Sequence, residues 1–278
     1  MIELAYGKIN ISLDVVGKMA NGFHELDSIM VPVSLRDTIY INKAAEDSFE
    51  SNTDLQWDDS NLIYKTVKLM RERYSIKGGL RIKLIKRIPK QAGLGGGSAD
   101  AAAVLRLLNR LYKLHLSKDE LAQLGAELGS DVPFCVYQKA ARCKGRGEKI
   151  RLLGSHVRYK AVLIKPEQGI NTKEAFELTD REQILHPDMD RIEKAYVNHE
   201  SLTELLGNSL EKAAVRLVPE IDEIKNGCRE LGFKEVVMTG SGSTVFVLAE
   251  KGGHLKELIE KMQKKYDFVL ETEIQGNI

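Results

Sequence analysis

Two glycine-rich turns, a strand lysine and a turn aspartate are the residues of this chain whose types and spacing could do chemistry. The first turn lies in Pro89-Lys90-Gln91-Ala92-Gly93-Leu94-Gly95-Gly96-Gly97-Ser98 and runs into the alanine-rich start of a helix. Without Cβ atoms, Gly93, Gly95, Gly96 and Gly97 let an anion come close to the backbone, and the helix behind them offers unpaired N–H groups at its positive dipole end. A phosphate suits such a cradle, whereas a flexible turn before a packed helix is the alternative for a glycine cluster taken alone. No GK[ST] follows it, so it is not a Walker A loop, and its spacing is not GxGxxG. The second turn is Gly240-Ser241-Gly242-Ser243. Lys8 lies on the polar side of an alternating strand and Asp131 in the turn Ser130-Asp131-Val132-Pro133. Taken singly, the lysine reads as a solvated strand residue and the aspartate as a turn or cap residue.

Composition sets the frame for any such chemistry. The chain has 278 residues, 43% of them hydrophobic and 29% charged, which suits an ordinary globular protein of about two domains. Lys plus Arg number 41 against 40 for Asp plus Glu, so no global field argues for nucleic acid or an anionic membrane, and any anion site must be local. No apolar run approaches the roughly 18 residues of a membrane span and the first residues lack signal-peptide character, so a cytoplasmic protein is expected. Cys135, Cys143 and Cys228 have neither even number nor metal-ligand spacing, and the six histidines form no ligand pair at helical spacing.

The elements that must position these residues follow from periodicity. Ile9, Ile11 and Leu13 alternate with Lys8, Asn10 and Ser12 as a strand, and Asn21-Gly22 is a turn that sets Phe23 and His24 just after it. Ile29 to Val33 and Asp37 to Asn42 read as two further strands, and Asn61 to Tyr74 as an amphipathic helix. LRIKLIKRIP reads as a strand whose flank delivers Arg81, Lys83, Lys86, Arg87 and Lys90 as a local basic patch before the cradle. A helix is expected from Ser98 through Tyr112, then a second opened by the Ser117/Glu120 capping box and closed by Gly129. Beyond Gly154 come a strand RYKAVLIKP, a helix capped by Asn171 or Thr172, helices near Ser209 to Leu217 and Glu220 to Leu231, strands EVVM and VFVLA, a helix from His254 to Lys264, and a strand FVLETEI. The segment from Glu177 to Glu200 carries little pattern. This alternation predicts a sheet with helices on one face in the second half of the chain.

The segments KINISLDVVGK, NGFHEL, IPKQAGLGGGSADAAA, GSDVPF and MTGSGSTVF together resemble the galactokinase, homoserine kinase, mevalonate kinase and phosphomevalonate kinase (GHMP) superfamily. They span most of the chain and are jointly specific to one branch of that superfamily, whereas the glycine loop alone would indicate only the superfamily. The resemblance implies an α+β, two-domain fold, with a domain like ribosomal protein S5 domain 2 over 1–154 and a ferredoxin-like domain over 155–278. It implies an ATP-dependent small-molecule kinase using Mg²⁺, with Lys86, Pro89, Gly93, Leu94, Gly95, Gly96, Gly97 and Ser98 holding the nucleotide. Lys8 and Asp131 would form the catalytic pair, the aspartate accepting the hydroxyl's proton and the lysine favouring its ionised form. The acceptor implied is a cytidine diphosphate-linked methylerythritol, phosphorylated on its 2-hydroxyl. Its cytosine would lie between Phe23 and Phe176, with His24 reading the base edge, Asn10 positioning the methylerythritol, and Gly240, Ser241 and Gly242 lining the substrate site. For the two phenylalanines, core packing is the alternative.

Several residues depart from the family pattern. Phe23 replaces a frequent tyrosine, Gln91 stands where a small residue is usual, Gly7 replaces the alanine before the lysine, and Ala99 replaces the second serine of the GGGSSD form, which implies one lost phosphate or metal contact. The sequence therefore leaves open two rivals: a non-catalytic nucleotide-binding paralogue and a GHMP-type kinase of another alcohol.

Overall fold

Strand-forming alternation dominates the first part of the chain, and helical periodicity takes over wherever alanine and leucine replace β-branched residues. The computed structural model describes residues 1–154, 158–249 and 255–275. From the N-terminal side, β1 (Ile2–Lys18), β2 (His24–Ala44) and β3 (Ser48–Ser51) lead to α1 (Leu62–Tyr74) and β4 (Gly79–Ile85). Three helices follow, α2 (Gly96–Leu111), α3 (Lys118–Leu128) and α4 (Val132–Tyr137), and then the hairpin of β5 (Ala141–Gly145) and β6 (Lys149–Leu152). Next come β7 (Arg158–Lys165), α5 (Thr172–Thr179), α6 (Met189–Asn198), α7 (Glu211–Leu217), α8 (Glu220–Glu230), β8 (Val236–Met238), β9 (Val245–Ala249), α9 (Leu255–Met262) and β10 (Phe268–Gln275).

The chain forms two compact units that interleave along the sequence. One comprises Met1–Gly7, Leu35–Pro89 and Gly95–Gln138; the other comprises Lys8–Ser34, Lys90–Leu94 and Lys139–Ile278. In the first unit, β4 pairs antiparallel with β2, Thr38 opposite Ile85 and Ala44 opposite Gly79, and parallel with β3. Helix α2 packs against α1, α3 and α4. It can do so closely because its first turns are alanine, and Ala101, Ala102, Ala103, Leu105, Leu107 and Leu108 are fully buried. Asn61 caps α1 by accepting from the Ile63 N–H at 2.9 Å, and the Ser117/Glu120 capping box of α3 is formed at both of its bonds.

In the second unit β10 lies antiparallel to β7, with β9 and then β8 following, and the first half of β2 pairs with β5. Helices α7, α8 and α9 bury Ala214, Ile221, Ile224, Cys228, Leu258 and Met262 against Val162, Ile164, Val245 and Val247 of this sheet. That is the expected arrangement of an antiparallel sheet with an apolar face covered by helices. Asn171 is the cap of α5, accepting from the N–H groups of Lys173 and Glu174.

Four expectations are corrected. The two strands foreseen at Ile29 to Val33 and Asp37 to Asn42 are one strand, β2, because its halves find different partners, β5 for residues 26–30 and β4 for residues 38–44. Strand β4 stops at Ile85, so Lys86 lies beyond its end rather than on a strand face. Helix α2 begins at Gly96, two residues before Ser98, since Gly95 already closes the first helical bond from the Ala99 N–H at 2.8 Å. The weakly patterned stretch contains α6, whose buried Met189, Ile192, Ala195 and Tyr196 recur at helical spacing. His254, foreseen as the start of a helix, lies outside the described residues. Among the described residues no helix is long and apolar enough to cross a membrane.

Candidate active site

The glycine loop is built differently at its two ends. In the first unit, Gly95 takes a left-handed conformation, φ 66°, and no side chain caps α2 behind it. The earliest intrahelical donor is the N–H of Ala99, so those of Gly96, Gly97 and Ser98 have no acceptor within the helix and are open to an anion. A Cβ on Gly96 would stand 2.9 Å from both the Ile88 side chain and the Lys86 ammonium. Glycine is therefore required there by close approach. The Ala99 side chain is 1% exposed and belongs to the core beneath the loop.

Lys86, foreseen as a nucleotide contact within a basic patch, has its ammonium enclosed by two acids. Its Nζ lies 2.6 Å from Asp37 Oδ2 and 2.7 Å from Asp100 Oδ2, and all three side chains are at most 6% exposed. Asp37 Oδ1 also accepts from the backbone N–H groups of Arg87 at 2.5 Å and Ile88 at 2.8 Å. The triad thus ties the strand end, the chain entering the loop and the second turn of α2 to one another. Burial raises the Asp100 carboxyl to about 8, against the pull of Lys86. Burial would lower the Lys86 pKa, but the fields of Asp100 and Asp37 outweigh it and the ammonium is held charged. Asp100 Oδ1 is buried without a hydrogen-bond partner. The patch of free charge foreseen here is reduced accordingly.

Asp131 stands immediately before α4, a helix that packs against α2. It occupies the cap position, yet its side chain makes no capping bond, φ being −87° and ψ −11°. Its side chain thus does not supply the cap that an aspartate in that turn often provides.

In the second unit, Lys8 is 3% exposed, which removes the reading of a solvated strand lysine. Its Nζ donates to Asn10 Oδ1 at 2.7 Å, and its backbone N–H donates to Leu94 O at 3.0 Å, binding β1 to the loop. Asn10 is held on all sides: its Nδ2 donates to Ser28 Oγ at 2.7 Å and its backbone N–H to Thr239 Oγ1 at 2.9 Å. The two glycine turns meet here. A Cβ on Gly93, φ 71°, would fall 2.1 Å from Thr239 O, and one on Gly240 would fall 2.9 Å from Gly93 O and 3.1 Å from Lys8 Nζ. Asn208 Nδ2 clamps the second turn by donating to Met238 O and Gly240 O, both at 2.8 Å, and Ser241 Oγ bonds Thr172 Oγ1 at 2.9 Å. Gln91, with φ 50°, lies against Gly169, where a Cβ would be 2.6 Å from its own.

The aromatic residues gather in the same unit with partners that the sequence did not reveal. His24 stacks on Phe176 with ring centroids 4.7 Å apart and planes 23° from parallel. Phe23 is 52% exposed, so it is not a core residue, and the Arg146 guanidinium lies 5.0 Å above its ring. His24 Nε2 is 2.6 Å from Asp180 Oδ1. Sequence reasoning missed Asp37, Asp100, Asn208, Thr239, Arg146 and Asp180. An acid inside the apolar strand run at Asp37 was the one available signal, while the others depend on chain-distant partners.

The chain offers little of its own to a divalent ion. Among the described residues no group of three His, Cys, Asp or Glu side chains could hold a metal. A Mg²⁺ brought in with a nucleotide would take most of its octahedron from phosphates and waters and one or two oxygens from the protein. Ser98, in the first turn of α2, carries an oxygen of the required hard type.

Comparison with known proteins agrees with this geometry. The family described as GHMP kinases N terminal domain matches residues 61–139, and GHMP kinases C terminal matches residues 181–267. The chain is 40% identical over 283 aligned residues to a 4-diphosphocytidyl-2-C-methyl-D-erythritol kinase of Bacillus velezensis, covering 99% of this chain and 97% of that one. It is 39% identical to the enzyme of the same name from Bacillus subtilis, with the same coverage. A crystal structure of 4-(cytidine 5'-diphospho)-2C-methyl-D-erythritol kinase superposes with a TM-score of 0.85 over all of both chains at 32% identity. A homoserine kinase from Cytophaga hutchinsonii shares the fold at a TM-score of 0.75 and 17% identity. The chain therefore has the α+β, two-domain GHMP kinase fold and belongs to the 4-diphosphocytidyl-2-C-methyl-D-erythritol kinase family.

Proposed function

We propose that this protein transfers the γ-phosphoryl group of ATP to the 2-hydroxyl of 4-diphosphocytidyl-2-C-methyl-D-erythritol, a cytoplasmic step of non-mevalonate isoprenoid precursor synthesis. The observation that carries the reading is the full-length 40% identity to an enzyme of that name. The residues of its motifs are those the chemistry needs. Phosphoryl transfer to an alcohol requires an aligned hydroxyl, a proton acceptor and compensation for phosphate charge. Asp131 accepts the hydroxyl's proton, its carboxylate not being engaged as a helix cap. The Lys8 ammonium, oriented by Asn10 Oδ1, bears charge developing on the transferring group. The N–H groups of Gly96, Gly97 and Ser98, with Pro89, Gly93, Leu94 and Gly95 shaping the loop, hold the triphosphate. Bound Mg²⁺ supplies further neutralisation of the phosphate oxygens, and Ser98 would contribute to holding it.

On the acceptor side, Phe23 and Phe176 provide stacking faces for the cytosine and His24 meets its edge. Asn10, with Gly240, Ser241 and Gly242, lines the methylerythritol diphosphate. Lys86, enclosed by its two acids, acts by holding the loop in shape. The test is ADP release by the purified protein with ATP, Mg²⁺ and the cytidyl substrate, with mevalonate and galactose as controls. Turnover confined to the cytidyl substrate is expected. No turnover with it would overturn the reading, and turnover with a control alone would assign another alcohol.

A further inference from the structure

Asp180 fixes which nitrogen of His24 can face a ligand, and we propose that it is a positioning residue through which the enzyme distinguishes cytosine from uracil. The inference rests on the reading above that the base stacks at Phe176. His24 Nε2 lies 2.6 Å from Asp180 Oδ1, and an ionised carboxylate only accepts, so Nε2 carries the hydrogen. In the neutral ring Nδ1 is then left as an acceptor. Lys18 Nζ, 2.5 Å from Asp180 Oδ2, completes the device. Its hydrogen bond, with that of His24, keeps the carboxyl below its ordinary range and therefore ionised.

The placement of these groups gives the nitrogen a direction. Asp180 follows α5 one helical turn after Phe176, and its backbone N–H donates to Phe176 O at 3.1 Å, so the stacking ring and the orienting carboxylate are carried on one element. The His24 ring lies nearly parallel to Phe176 and offset from it, at a centroid separation of 4.7 Å. A base seated beside these stacked rings would meet the imidazole at the edge that Asp180 leaves open, the Nδ1 edge. An acceptor at Nδ1 suits the N4 amino group of cytosine. Uracil presents O4 there, and two acceptors would face each other with no proton between them. A site built to bond a substrate N–H rejects the analogue lacking it far more strongly than a site built on shape.

The experiment compares kcat/KM for cytidine and uridine diphosphate-linked methylerythritol in the unaltered enzyme, Asp180→Ala, Asp180→Asn, Lys18→Met, His24→Ala and Phe176→Ala, with melting temperatures as a check on folding. Asp180→Ala is expected to raise KM for the cytidyl substrate roughly 10- to 100-fold, the usual cost of removing an orienting partner, with kcat within a few-fold and the preference over uridyl reduced at least as much. Asp180→Asn, whose carbonyl can still accept from Nε2–H, should restore part of the preference. Lys18→Met should weaken the preference without losing the His24 contact. By ¹⁵N NMR, His24 should be the Nε2–H form in the unaltered enzyme and a mixture in Asp180→Ala. If Asp180→Ala keeps the preference while His24→Ala abolishes it, the base site stands and the role given to Asp180 is overturned. If Phe176→Ala and His24→Ala both leave KM for the cytidyl substrate unchanged, the base site itself is wrong and the inference falls with it.

Discussion

Lys86 Nζ donates to Asp100 Oδ2 at 2.7 Å, joining the residue after β4 to the second turn of the helix that follows the glycine loop. The same ammonium reaches Asp37 at 2.6 Å, and Asp37 in turn holds the backbone of Arg87 and Ile88. Removing one partner of a buried ionic group leaves the others uncompensated, which costs about 3 to 5 kcal/mol. Lys86→Met should lower stability on that scale in urea unfolding and raise KM for ATP, because the loop loses its anchor. A variant within 0.5 kcal/mol of the parent, the range of ordinary surface changes, would show that the triad does not hold the loop.

The raised carboxyl of Asp100 predicts a pH dependence of known sign. Its pKa in the folded state, about 8, exceeds the ordinary 3.8, so the native state binds a proton that the unfolded state has released. Its contribution to stability is present below the unfolded value, falls as pH rises through the window between the two, and levels off above the folded value. Asp100→Asn lacks this titration. The stability difference between parent and variant should therefore move toward the variant between pH 5 and pH 8 in urea unfolding. A difference constant over that range would mean that Asp100 is already ionised when folded.

Asp131→Asn should lower turnover by roughly 10² to 10⁴-fold, the scale of general-base catalysis. Asparagine has nearly the shape of aspartate, so the variant should fold, and its melting temperature is read beside turnover to separate lost chemistry from lost structure. Steady-state kinetics with calorimetry checks both. Unchanged turnover would return Asp131 to a turn residue.

Gly93→Ala should disturb the contact of the two glycine turns. At φ 71° a side chain is strained, and its Cβ would fall 2.1 Å from Thr239 O, a backbone atom that cannot give way cheaply. A loss of about 1 to 3 kcal/mol in denaturant unfolding is expected, with a higher KM for ATP. Gly97→Ala is the control, since the nearest atom to its Cβ would be 3.5 Å away, and it should cost much less.

Much of this protein was legible without coordinates. Helix caps at Ser117 and Asn171 are local devices, and each was found where its own side chain could reach the next turn's backbone. Both glycine turns, Lys8 and Asp131 were marked by residue type and spacing. The chain's sequence motifs also carried the family.

What only the tertiary structure decided depends on partners far along the chain. No local pattern could say that β2 is one strand, because its continuity rests on four different neighbours, β1, β4, β5 and β10. Lys8 taken singly reads as a solvated strand lysine, yet it is buried with Asn10 and Ser12: its ammonium donates to Asn10, and groups from residues 28, 207 and 239 satisfy Asn10 and Ser12. Lys86 looked like free positive charge until Asp37 and Asp100, 49 and 14 residues away, enclosed it. Periodicity reports which face of an element is apolar; only packing decides which polar groups meet, and it is those meetings that orient His24 and hold the glycine loop.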